Sequence, residues 1–365
     1  MSRTLCSLTQ FPISMAAVTS PARDDEFLDM NWIVDEASGL IRIEERVPPE
    51  SLYAHQTTRS ATGQTWRDHH SLFATYISNR APSSVLEIGG AHGYLAKVYC
   101  DQFPVPWVIV EPSPAPVEEC PAVFIADFFG PQTIVQPEDL LVHSHLLEHM
   151  HNPGEFLSLV RKMMVEGQEM VFSIPHLELW VRRRYSNALN FEHSVFLTLP
   201  HVRAMLGAAG LSILDETPVL DGHSVFFHVR KGEPYRVPLD KGLAERNEKT
   251  FVEYIDFHRH FVTHVSSLLA ENDNPAFIFG AHVFAQFLLA FGLPEERFHG
   301  ILDNDPEKQG KRLYGTGLMV SPVTILNDFP DSLVVLHAGA YNEEIKRGIE
   351  ESVKSPPRFL AADVM

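Results

Sequence analysis

Ser84-Val85-Leu86-Glu87-Ile88-Gly89-Gly90-Ala91-His92-Gly93-Tyr94-Leu95 decides the fold. A short apolar run (Val85, Leu86, Ile88) ends in a glycine-rich turn. An apolar-periodic segment through Tyr94, Leu95, Val98 and Tyr99 follows it. That order reads as a buried parallel strand, a tight loop and a helix. Gly89 and Gly93 permit φ > 0 and let the backbone approach a ligand closely. The helix beginning near Gly93 would aim its free N–H groups at that ligand. The dinucleotide fingerprint G-x-G-x-x-G is absent, because the positions after Gly89 that need glycine hold Ala91 and Tyr94.

Outward from the loop, Trp107-Val108-Ile109-Val110 is a second strand ending in Glu111. A carboxylate about 20 residues beyond such a loop, at a strand's C-terminal end, can accept both hydroxyls of a ribose. Glu87, Gly89, Ala91 and Gly93 form an acidic residue followed by G-x-G-x-G with alanine in the middle. This resembles the first motif of class I S-adenosylmethionine (SAM) methyltransferases. The alternative is a Rossmann-like βαβ unit without that cofactor. The resemblance implies an α/β fold with a seven-stranded Rossmann-like sheet. It also implies SAM contacts from Glu87, Gly89, Gly90, Ala91, Gly93, Glu111, Pro112 and, further on, Asp127, Phe128 and His145.

The 365 residues suffice for about two or three domains, and a 45% hydrophobic composition supplies their cores. A formal charge of −18 argues against nucleic acid or an acidic membrane face as partner, since both need basic stripes. Cys6, Cys100 and Cys120 are scattered, so neither a disulfide framework nor a cysteine-ligated zinc is indicated. No run approaches the ~18 apolar residues of a membrane span, and a cytoplasmic location is the expectation.

Residues 1–23 carry two arginines, no acid and several Ser and Thr; the expectation is a disordered start rather than a transit peptide. A hairpin from Trp32 to about Arg46 follows, then Tyr53-Ala54-His55, a polar loop, and a helix from Trp66 to about Asn79. His55, His69 and His70 are candidates to fold over a cleft, or simply surface and capping histidines. After Glu111 the prolines 112, 114 and 116 shorten the second helix. Strands at Val123–Ile125 and Asp139–His143 come next, with Asp127 and Phe128 placed by resemblance near the adenine amine and ring. Helix Pro153 to about Met164, strand Glu169–Ile174, helix Pro200–Gly210 and strands Leu211–Glu216 and His223–Arg230 complete the sheet.

Two segments carry chemistry. His145, Glu148 and His149 spell H-x-x-E-H, a zinc-hydrolase pattern. Zinc would need a regular helix and a further ligand downstream, whereas this run follows a strand directly and meets Asn152-Pro153. It also resembles the segment after the fourth strand of SAM methyltransferases, so no metal is expected, and His149 is taken as a pocket residue. Arg182-Arg183-Arg184 is either an anion clamp or a solvated helix face.

Asn190-Phe191-Glu192-His193 then resembles the Y-x-E-H of the sugar C-methyltransferase family, which acts on nucleotide-linked keto-deoxysugars. The resemblance implies His193 as general base, Glu192 as its helper and Asn190 in place of the tyrosine; the alternative for Glu192-His193 is a structural pair before a helix. An imidazole tuned by a carboxylate suits proton removal beside a ketone. Beyond Gly232 comes a linker, a helix from Leu243 to about Glu271, and a second α/β unit. There Gly280-Ala281-His282 precedes a helix, and Asp303-x-x-Pro306-x-Lys308-Gln309-Gly310 follows a strand. This resembles the same family's C-terminal domain, with His282-Val283-Phe284 instead of the family's lysine after the Gly-Ala loop and without the family's N-terminal zinc domain.

The expected layout is an N-terminal extension and cap over 1–80 and a SAM domain over 81–232. A linker and helix occupy 233–272, and a smaller Rossmann-like domain 273–365. The expected function is methylation of a sugar or sugar-like molecule, nucleotide-linked or phosphorylated, with His55, His70, His149, Arg182 and His282 binding it. O-methylation of a small polar acceptor and a non-catalytic SAM-fold protein are the alternatives.

Overall fold

The computed structural model describes residues 2–52, 63–133 and 139–361. The chain forms two compact units. One is built from Met1–Thr58, Trp180–Glu192 and Ala244–Met365, the other from Arg59–Leu179 and His193–Leu243.

The first unit begins with β1 (Ser2–Pro12), β2 (Ala17–Val18), β3 (Phe27–Asp35) and β4 (Ile41–Ile43), followed by one helical turn, α1 (Pro49–Leu52). Strands β1, β3 and β4 make an antiparallel sheet, and the expected hairpin is its β3–β4 half. The disordered start expected of residues 1–23 is not found. Cys6, Leu8 and Phe11 are buried from a strand whose register slips between Thr4 and Cys6 and between Leu8 and Phe11. Those irregularities break the period-two alternation by which a strand is read.

The second unit holds α2 (Gln64–Ser78), β5 (Val85–Ile88), α3 (Tyr94–Cys100), β6 (Trp107–Val110), β7 (Val123–Ile125), β8 (Leu140–Ser144), α4 (Pro153–Met163) and β9 (Glu169–Pro175). After β9 comes α5 (Leu177–Arg182), which runs across the boundary between the units, and then α6 (Leu199–Ala209), β10 (Leu211–Val219) and β11 (Ser224–Lys231). The strands form one seven-stranded sheet in the order β10-β11-β9-β8-β5-β6-β7. β5 to β9 run parallel, and β11 pairs antiparallel with both β9 and β10. The order reverses between β5 and β8, so the loops after these two strands open a crevice at the sheet's C-terminal edge. β5 is buried along its whole length, as a parallel strand covered on both faces must be.

The remainder of the first unit is the long α7 (Leu243–Ala270) and a parallel sheet with its helices. These are β12 (Ala276–Phe279), α8 (Val283–Ala290), β13 (Phe298–Leu302), β14 (Arg312–Leu313), β15 (Val320–Ser321), β16 (Leu333–Leu336), α9 (Asn342–Ser352) and β17 (Arg358–Ala361). The sheet runs β15-β13-β12-β16-β17, the second Rossmann-like α/β architecture that was expected. Within this unit β2 pairs with β14, which joins the N-terminal strands to the C-terminal ones. Among the described residues no helix is long and apolar enough to cross a membrane.

Candidate active site

The glycine loop after β5 takes the conformation its composition demands. Gly89, Ala91 and Gly93 have φ of 71°, 44° and 69°. At Gly93, a Cβ would sit 2.4 Å from the Cys120 sulfur, so sterics as well as φ fix glycine there. At the end of β6, Glu111 accepts hydrogen bonds from Ala91 N–H and Ser113 N–H, each at 3.1 Å. Its carboxylate is thereby clamped to the loop that precedes α3. Pro112 beside it is exposed. After β7, Asp127 accepts from Phe128 N–H at 2.7 Å, and the Phe128 side chain is 49% exposed, an apolar ring open to a flat partner.

Glu87 departs from the expected role of cofactor contact. It lies under the loop at 2% exposure and accepts from Trp107 Nε1 at 2.9 Å. A Cβ on Gly90 would come within 2.8 Å of the Glu87 carboxyl carbon. Burial raises its carboxyl to about 7; the Trp107 bond opposes this and Glu111 adds to it. Glu87 supports the loop from beneath, and Gly90 is glycine because Glu87 is there.

The loop after β8 supplies the other wall. His145 has φ 48° at the strand's end, and its Nε2 lies 3.0 Å from Ser224 Oγ. Leu146 packs against Gly89, so this segment abuts the glycine loop. Leu147–His149 is a single 3-10 turn, and Asn152 then caps α4, its Oδ1 accepting from Glu155 N–H at 3.3 Å with Pro153 in the first turn. The break expected at Asn152-Pro153 is therefore present.

What sequence reasoning missed is the partner that folds back onto this turn. Ligand atoms of Glu148, His149 and His193 all lie within 4.8 Å of one another, and the rings of His149 and His193 cross at 76° with centroids 4.9 Å apart. His193 is the downstream residue that the H-x-x-E-H reading lacked. Glu148 is wholly buried; neither of its oxygens has a hydrogen bond among the described residues, although His145 Nδ1 lies 3.3 Å from Oε1. Burial pushes the Glu148 carboxyl up to about 7, with His193 opposing. Burial drives His149 and His145 well below the ordinary imidazole value, and neighbouring histidines add to both shifts. Both rings are neutral at pH 7. The only signal in the sequence was the H-x-x-E-H spacing itself.

Behind this wall α2 delivers Trp66, His69 and His70. Trp66 meets the rings of His145 and His223 edge-on, at 4.8 and 5.6 Å between centroids. His70 is buried, with Nδ1 2.7 Å from Trp66 O and its ring edge-on to Tyr94 at 5.1 Å. Burial lowers its pKa to about 4. His70 thus reaches the first residue of α3 as packing, neutral at ordinary pH. His55 lies outside the described residues.

Asn190, Glu192, Arg182 and His282 belong to the first unit. Asn190 is buried; its Oδ1 accepts from Glu192 N–H at 2.8 Å, and its Nδ2 donates to Asn187 O at 3.3 Å. That amide shapes its own loop. Arg182 is exposed, whereas the Arg184 guanidinium stacks 4.2 Å above the Phe257 ring. His282 stands at the N-terminal cap of α8 in extended conformation.

Residues 53–216 match a family model described as a methyltransferase domain. The chain is also similar to the solved structure of 1,6-didemethyltoxoflavin-N1-methyltransferase from Burkholderia thailandensis, at 15% identity and a TM-score of 0.40, over 53% of this chain and 95% of that one. It is similar to the N-methyltransferase NodS from Bradyrhizobium japonicum WM9, at 17% identity and a TM-score of 0.35, over 46% and 96%. A Mesorhizobium loti S-adenosylmethionine-dependent methyltransferase gives 12%, 0.34, 43% and 98%. Similarities this distant carry nothing about substrate. No curated protein matches the chain. The domain match falls on the seven-stranded sheet and its glycine loop, and the second unit has the class I methyltransferase fold.

Proposed function

We propose that this chain is a SAM-dependent methyltransferase acting on a small sugar or sugar-like acceptor, and that His193 takes the proton from the atom to be methylated. The observation that carries the reading is the cluster of buried Glu148 with half-buried His149 and His193 beside Leu146, which packs on the glycine loop. An acceptor held there stands next to the cofactor loop, in a site with an imidazole base and a buried carboxylate to orient it. Bound SAM supplies an electrophilic methyl group on a sulfonium. On the protein's side, the backbone from Gly89 to Gly93 makes room, and Glu111 accepts the ribose hydroxyls in exchange for Ala91 N–H. Asp127 and Phe128 receive the adenine. Alignment then does most of the catalysis.

Removing the Glu111 carboxylate should weaken SAM by about 1.5–3 kcal/mol, the scale of a lost hydrogen bond to a charged group. Calorimetry on folded Glu111→Ala checks this, and unchanged affinity would take the residue out of the ribose site.

The sugar C-methyltransferase resemblance favours a carbon beside a ketone as nucleophile, as in a nucleotide-linked keto-sugar; a hydroxyl is the second reading, because the same base serves it. The two separate in D₂O. With a 4-keto sugar and no SAM, a carbon acid should gain deuterium beside the ketone in the wild type and not in His193→Ala. NMR location of the transferred methyl on oxygen would end the carbon-acid version.

A further inference from the structure

Glu148 poses a problem that the base reading leaves unsolved. A carboxylate with no exposure and, among the described residues, no hydrogen bond to either oxygen is costly, and native proteins rarely keep one. If Glu148 only oriented an imidazole, one oxygen would accept from a ring N–H; among the described residues neither does, and His145 Nδ1, 3.3 Å from Oε1, lacks the geometry of a hydrogen bond. One of its oxygens instead shares a space no wider than 4.8 Å with one nitrogen each from His149 and His193.

We infer that Glu148, His149 and His193 bind a divalent transition-metal ion. This goes beyond the proposed function while resting on its placement of the acceptor, and it makes His193 a ligand rather than a free base. Two imidazoles and a carboxylate suit Zn²⁺, Co²⁺ or Fe²⁺, whereas Mg²⁺ and Ca²⁺ take oxygen-only sets. Three protein ligands leave coordination positions open, as in catalytic rather than structural sites. An acceptor hydroxyl or keto oxygen would fill one of them. The ion would lower the pKa of that hydroxyl, or of the C–H beside that ketone, and the proton would leave to solvent. His145, set 3.3 Å from Glu148 Oε1, would stand behind the ligand, where second-shell groups orient ligating carboxylates. The Glu and the first His come from one 3-10 turn, which fixes their relative placement, and His193 closes the site from far along the chain.

The test uses tag-free protein, dialysed against chelator and titrated with Co²⁺ and then Zn²⁺, with and without SAM. One Co²⁺ per chain is expected, with the visible absorption of a low-coordinate cobalt site, displaced by Zn²⁺. Glu148→Gln and His193→Ala should each weaken the cation by at least about a hundredfold, the upper scale for outer-shell losses, while SAM still titrates and reports folding. Protein that binds SAM but no Co²⁺ or Zn²⁺ overturns the site and leaves the methyltransferase reading intact. Cation affinity unchanged in both folded variants also overturns it. A cation that binds where SAM does not would support the site and sink the proposed acceptor pocket instead.

Discussion

Asp25→Ala should cost the first unit about 3–5 kcal/mol, the scale for breaking a buried ion pair from one side. Asp25 and Arg312 form a two-pronged pair, Nη1 to Oδ2 at 2.6 Å and Nη2 to Oδ1 at 2.7 Å, with side chains 1% and 9% exposed. Arg312 also donates to Ser20 O, and Gly315 N–H donates to Asp25 at 2.7 Å. Removing the carboxylate leaves a buried guanidinium with only carbonyls, which satisfy its donors without neutralising its charge. The pair ties the segment before β3 to β14, alongside the β2–β14 ladder and the bonds of Gln286 Nε2 to Ser14 O and of Tyr314 N–H to Ala16 O. Amide exchange should therefore rise together in residues 2–35 and 298–321, and a denaturant titration should give the magnitude. Because the pair's partners couple, the double variant Asp25→Ala, Arg312→Ala should cost less than the two singles added. A single-variant cost under about 1 kcal/mol would mean that the pair is a surface-like bridge after all.

Much of the sheet was legible because parallel strands between helices write themselves as short apolar runs, and Val85–Ile88, Trp107–Val110 and Leu140–Ser144 are such runs. The glycine loop was legible for a different reason, since φ near 70° at Gly89 and Gly93 is expensive for any other residue. What those rules do not give is the direction of a polar side chain in a strand buried on both faces. Glu87 could have pointed to the cleft, and the Trp107 indole turned out to hold it below. Nor could spacing reveal Glu148 as the buried carboxylate near His193, because that meeting depends on the return of the chain after α5. β1 escaped for a third reason, its two register slips. Local pattern is informative where one element decides the outcome, and silent where two distant ones must meet.

The protein should lose stability steeply on mild acidification, and His143 should account for a share that one substitution removes. In the second unit His69, His70 and His143 are buried with pKa values driven down, chiefly by burial, to about 4 for His70 and about 3 for His143. An unfolded chain protonates these rings near the ordinary value of about 6.5, and the native state refuses the proton until far lower pH. The unfolded state then binds more protons, so the stability these rings contribute is complete above about pH 6.5 and is lost as pH falls toward 4 and 3. Each such ring removes about 1.4 kcal/mol per pH unit within its window. Glu87 works the other way: held near 7 when native, it keeps a proton that the unfolded chain has released, and so it returns about as much as one histidine takes between roughly pH 7 and 4.5. His145 and His149 are driven down in the same way and Glu148 is held near 7 like Glu87, so five histidines against two carboxyls leave a net loss. His143 has no exposure and no hydrogen bond to either ring nitrogen among the described residues. It stacks on Phe172 at 4.7 Å and 18°, and Phe172 stacks on Phe227 at 4.9 Å and 6°. A phenyl ring meets the same neighbours without polar atoms to desolvate, so His143→Phe should be neutral or stabilising near pH 7.5 and should gain on the wild type by about 1.4 kcal/mol for each pH unit below 6. Denaturant titrations at about pH 7.5, 6 and 5 measure the difference. Curves for wild type and His143→Phe that fall in parallel would show that His143 takes up its proton in the native state, and that this ring is not the one the fold keeps neutral.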